Sequence, residues 1–117
     1  MKKAVRTLDE HKGRDIVCLD LTGIHSYLEN FVIVTGSSRI HCRALARAVS
    51  DLCTELGREK KNIPSDPGGW IVLDYGDIVF HIFIEEQRDY YNLERLWSDA
   101  ERVDIGIEPG RGYVQSL

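Results

Sequence analysis

The chain has 117 residues, 43% hydrophobic and 29% charged, with a net charge of −4. That suits one ordinary globular domain and is too short for two with separate cores. No apolar run approaches the roughly 18–20 residues of a membrane-spanning helix, and the opening MKKAVRTLDEHKG carries acidic residues where a secretory signal has its apolar stretch. The three cysteines show no CxxC spacing and read as buried, inert thiols in a reducing compartment, so a cytoplasmic location is expected.

In chain order, Val5 and Leu8 at helical spacing, closed by Gly13, predict a short amphipathic helix over residues 2–12. DIVCLDL (Asp15–Leu21) and FVIVTG (Phe31–Gly36) predict two buried strands. The connection between them is too short for a helical crossover, which makes them antiparallel neighbours. Ser37 or Ser38 is a good N-cap for a helix near 39–56, along which Ile40, Leu45, Val49, Leu52, Cys53 and Leu56 recur at helical steps. Gly57 supplies the left-handed stop. A polar loop, REKKNIPSDPGG, then leads to WIVLDYGDIVFHIFIEE (Trp70–Glu86), a hairpin, and a last helix carries RDYYNLERLW (Arg88–Trp97). The expected architecture is therefore α/β, a mixed sheet with flanking helices in the order α-β-β-α-β-β-α, folded over residues 1–103. The Gly-rich end, 104–117, is expected to be a flexible tail.

Gly76-Asp77 suits a two-residue turn, which pairs Tyr75 with Ile78, Leu73 with Phe80 and Ile71 with Ile82 on one apolar face. The other face pairs Trp70 with Phe83, Val72 with His81, and Asp74 with Val79. Aromatic groups mixed with a histidine and an aspartate are poor core chemistry and good binding-patch chemistry. Tyr90 and Tyr91 cannot both face inward on the following helix, so at least one is expected beside that face.

Charge is unevenly spread. Residues 39–61 hold six basic side chains against three acidic ones, whereas residues 74–104 hold nine acidic against three basic. An acidic half repels phosphate backbones and favours a basic protein partner, leaving nucleic acid at most a peripheral role. Arg39, Arg43 and Arg47 form an i, i+4, i+8 stripe, read as a solvated helix face with an auxiliary RNA contact as the alternative.

Catalytic readings find less support. TGSSR (Thr35–Arg39) is a strand-to-helix turn that could cradle a phosphate and is similar to the Gly-Ser signature of nucleotidyltransferases. Those enzymes need converging carboxylates for Mg²⁺, and here Asp51 lies within the helix while Asp74 and Asp77 do not share a strand face. His81 and Asp74 share a face, but no nucleophile is placed beside them. His11, His25, His41 and His81 lack metal-ligand spacing. No cofactor or metal is expected, and the residues alone favour a protein-binding module over an enzyme.

DIVCLDLTG, FVIVTGSS, WIVLDYGDIVFHIF and RDYYNLERLW, in this order, resemble the ribosomal silencing factor family (RsfS, also called Iojap) from about Val5 to Ala100. The resemblance implies a nucleotidyltransferase-like fold without the catalytic carboxylates. It implies binding to the large ribosomal subunit through ribosomal protein L-fourteen and steric blocking of small-subunit joining, repressing translation under nutrient limitation. Organellar relatives imply a role in large-subunit assembly. By matching position, Trp70, Tyr75 and Tyr91 would contact the ribosomal protein, and the residue reading adds Asp74, His81 and Glu94 as a polar rim. Nucleotide binding or transfer at Gly36–Ser38 is the alternative, and self-association of the same apolar face as a homodimer is a third reading.

Overall fold

A computed structural model describes residues 2–21, 30–64, 68–96 and 101–103. Its order is α1 (Lys2–Glu10), β1 (Arg14–Asp20), β2 (Asn30–Gly36), α2 (Arg39–Glu55), β3 (Trp70–Asp74), β4 (Ile78–Ile84), α3 (Glu85–Tyr91), α4 (Leu93–Leu96) and β5 (Glu101–Arg102). The strands form one mixed sheet in the order β3-β4-β2-β1-β5. β1 and β2 are antiparallel as expected, and the connection through α2 and β3 brings β4 alongside β2 in parallel.

The ends of α2 follow the local chemistry of the sequence. Ser38 caps it, its Oγ accepting the His41 N–H at 3.0 Å. Gly57, at φ 75°, ends it with Arg58 N–H donating to Cys53 O and Gly57 N–H to Thr54 O, the paired bonds of a Schellman motif. The buried face is Cys42, Leu45, Val49 and Cys53. Ile40, expected on that face, is 74% exposed, and Leu56 is half exposed. Arg39, Arg43 and Arg47 lie on the outward face.

The sheet is buried on both sides. Against α1 and α2 lie Ile16, Cys18, Val32, Val34, Ile71, Leu73, Phe80 and Ile82. On the other side Val17, Leu19, Leu21, Phe31, Ile33, Val79 and Phe83 form a second apolar cluster, with Trp70, Val72 and Leu93 packed on its margin. All three cysteines are buried outside any disulfide, and desolvation pushes the Cys18 thiol up to about 12, which suits the inert role expected of it.

Two elements differ from expectation. The last helix is broken, because Asn92 adopts the left-handed conformation (φ 44°, ψ 57°) and closes α3. Its Oδ1 then accepts the Arg95 N–H and caps the short α4. The added strand β5 pairs with β1, Leu19 opposite Arg102. Trp97 and the proposed tail, 104–117, lie outside the described residues.

β3 is an edge strand whose outward backbone is partly occupied. Asn62 donates from Nδ2 to Val72 O at 2.9 Å and accepts the Asp74 N–H on Oδ1 at 3.0 Å, while Lys61 N–H donates to Asp74 O. One side chain thus stands in for a neighbouring strand. Asn62→Ala is expected to cost about 1–2 kcal/mol, read as a lowered urea midpoint. Light scattering on the same variant should show increased self-association through the freed edge.

Candidate functional site

The hairpin register is the expected one: Trp70 opposite Phe83, Val72 opposite His81, Asp74 opposite Val79. Gly76 takes φ 90° and Tyr75 N–H donates to Ile78 O, closing the two-residue turn. Alternation therefore sends Trp70, Val72 and Asp74 to one side and Ile71, Leu73 and Tyr75 to the other. α3 starts directly where β4 ends and carries Tyr91 back beside Trp70, with Tyr90 next to Tyr91.

An aromatic ladder results. Phe83 is buried and stacks on Trp70, with ring centroids 5.0 Å apart. Trp70 meets Tyr91 at 4.4 Å, and Tyr91 meets Tyr90 edge to face at 5.1 Å. Exposure rises outward, from a half-buried Trp70 to 46% at Tyr91 and 80% at Tyr90. Glu85, Glu86 and Asp89 are exposed on α3, with the first two in its first turn, where the helix dipole favours acids. Beneath, Arg88 is buried at 8% exposure and donates from Nη1 to Thr35 Oγ1 at 2.8 Å. That bond ties α3 to β2 and so sets where the tyrosines stand.

His81 does not join the rim expected of it. It is 6% exposed, enclosed by Phe31 at 4.5 Å and Phe83 at 6.2 Å. Burial pulls its pKa down to about 4, opposed by the Asp74 carboxylate, so the ring is neutral at pH 7. Its Nδ1 accepts the Trp70 indole N–H at 3.2 Å, which assigns the remaining proton to Nε2. That Nε2 is buried without a hydrogen-bond partner among the described residues, a defect worth about 1–3 kcal/mol.

Tyr75 also departs from the contact role that the resemblance gives it. It is 5% exposed on the α2 side of the sheet, packed edge to face on Phe80 at 6.0 Å. Ser50 and Cys53 are its polar neighbours, neither at full hydrogen-bond geometry, and burial raises its phenol above the ordinary value. Tyr75 and Trp70 thus share no surface, because five positions along an alternating strand reverse the side. Asp74 is half-buried and its Oδ1 accepts the Gly76 N–H at 2.8 Å, a turn-closing role at the margin of the ladder. Asp77, at the tip, forms an ion pair with Arg58. Glu94 is placed on α4, and its side chain is outside the described residues.

Among the described residues, the second face of the hairpin is consequently a second core over most of its extent and is open where Trp70 and the tyrosines emerge. Sequence reasoning missed Tyr90 as the most exposed aromatic among the described residues, although the paired tyrosines signalled it. It also missed Arg88, for which nothing in the pattern gave a signal. At the Gly-Ser turn, a Cβ on Gly36 would lie 2.6 Å from Cys42 Sγ, so packing of β2 on α2 accounts for this glycine. The adjoining crevice is lined by Ser37, Ser38, Arg39, Glu85, Glu86 and Asp89, an acid-rich setting for a phosphate. Among the described residues no group of His, Cys, Asp and Glu could hold a metal ion, and no helix is long and apolar enough to cross a membrane.

The sequence matches the family described as ribosomal silencing factor during starvation over residues 1–113. The chain belongs to the ribosomal silencing factor family. The ribosomal silencing factor RsfS of Bacillus subtilis is 37% identical over 106 residues, covering 90% of each chain. The chloroplastic protein Iojap of Arabidopsis thaliana is 31% identical over 97 residues, 83% of this chain and 41% of that one. Among solved structures, a Chromobacterium violaceum protein superposes with a TM-score of 0.76 at 29% identity, covering 92% of this chain and 89% of the other. A Bacillus halodurans protein gives 0.72 at 33% identity, covering 86% and 92%. Family membership places the aromatic ladder on a ribosomal silencing factor.

Proposed function

We propose that the protein binds the large ribosomal subunit through ribosomal protein L-fourteen and, by occupying that surface, blocks the small subunit from joining, repressing translation in the cytoplasm when nutrients are short. It acts by occlusion rather than by catalysis. The observation that carries the reading is the ladder Phe83–Trp70–Tyr91–Tyr90, which combines a buried base with an exposed tip beside Glu85, Glu86 and Asp89. Aromatic side chains standing on a rigid sheet anchor interfaces at low entropic cost, and the acids suit a basic partner, accelerating encounter at low salt.

The test is sedimentation of the purified protein with isolated large subunits, followed by addition of small subunits. Co-sedimentation with the large subunit and a loss of joined particles are expected. Unimpeded joining at saturating protein would refute occlusion, and absence from the large-subunit fraction would refute binding itself.

A further inference from the structure

A half-buried indole at the start of an edge strand has freedom to rotate, yet Trp70 stands tilted against Tyr91 and stacked on Phe83. Among the described residues, the polar contact that fixes its indole is the bond from Nε1–H to His81 Nδ1. His81 is an unfavourable residue for its own position. It is enclosed by Phe31 and Phe83, its charged form is suppressed, and its Nε2 is buried without a partner among the described residues. A phenylalanine would fill similar space without that unmet donor. A residue that breaks a packing rule without local compensation points to a functional demand.

We propose that His81 is a positioning residue of the docking face: its Nδ1 holds the Trp70 indole in the orientation that packs against Tyr91, at the expense of fold stability. The reading rests on the aromatic ladder being the docking surface, and it replaces direct contact by His81 with control from beneath. A fixed indole reaches the partner with less rotamer freedom left to lose.

His81→Phe and His81→Asn separate this role from a structural one. His81→Phe removes the acceptor and the orphan donor together. Its denaturation midpoint is expected to stay or rise, while its affinity for large subunits falls about tenfold. His81→Asn places an acceptor near the former Nδ1 and is expected to bind more tightly than His81→Phe despite lower stability. Affinities that follow stability across the two variants, or full affinity in His81→Phe, would overturn the proposal. The Trp70 indole N–H gives a second readout by NMR, assigned with Trp97→Phe: protected from exchange in the wild type, unprotected in His81→Phe. If the wild type does not bind large subunits, the proposed function fails and indole protection alone decides the positioning role. If His81→Phe does not fold, His81→Asn decides it, retained protection supporting the proposal and lost protection overturning it.

Discussion

Trp70→Ala is expected to weaken binding to isolated large subunits by about 100-fold while leaving the chain folded. Interface anchors of this kind contribute roughly 2–4 kcal/mol when truncated, and 2.7 kcal/mol corresponds to about two decades in affinity. Trp70 has the features of such an anchor: it is half-buried, backed by Phe83, flanked by Tyr91 and hydrogen-bonded from below. Its loss removes the central rung, so Tyr91 also loses the ring it meets at 4.4 Å. The fold should survive because Trp70 sits at the margin of the second cluster, whose fully enclosed members are Val17, Leu19, Leu21, Ile33 and Phe83. Equilibrium binding with a labelled protein measures the affinity, and far-UV circular dichroism checks folding. Unchanged affinity in a folded Trp70→Ala would remove the ladder as the docking surface. Charge reversal at Glu85 and Glu86 is expected to act differently, slowing association and flattening its salt dependence, because exposed charges steer encounter more than they hold the complex.

The same hairpin shows how much was legible in the sequence. Its register followed from strict alternation and a Gly-Asp turn, which leave one way to pair the strands. The α2 cap and stop were legible because Ser and Gly act within a few residues of themselves. What lies across the sheet was not legible. Alternation says that a face is apolar and is silent on whether protein or solvent covers it, so a second core was read as an open docking surface. For Tyr75 the two lines of reasoning conflicted, and the alternation, which put it in the core, agrees with its burial. The helix break at Asn92 had a local signal in a residue that tolerates the left-handed region, masked by the apolar spacing of Leu93 and Leu96. Arg88 had none, since a buried arginine is satisfied by Thr35, fifty-three residues earlier.

Acid is expected to destabilise the protein more steeply than its exposed carboxylates explain. His81 titrates near 4 in the fold, well below its ordinary value of 6.5, because burial opposes the charged ring and outweighs the attraction of Asp74. Between those two values the unfolded chain binds more protons than the folded one, so stability falls as pH drops through the window and is at its full value above it. The effect of this one group approaches about 3 kcal/mol below pH 4. Urea denaturation at pH 7 and at pH 4.5 gives the loss, and His81→Phe isolates its source, because phenylalanine has no proton to gain. The variant should lose distinctly less stability over that interval than the wild type. Equal losses would show that His81 is solvated or paired in the fold, which would also remove the orphan donor. The acid response and the stability of the variant at neutral pH therefore test one arrangement from two sides: a neutral imidazole kept in a dry site for the bond it makes to Trp70.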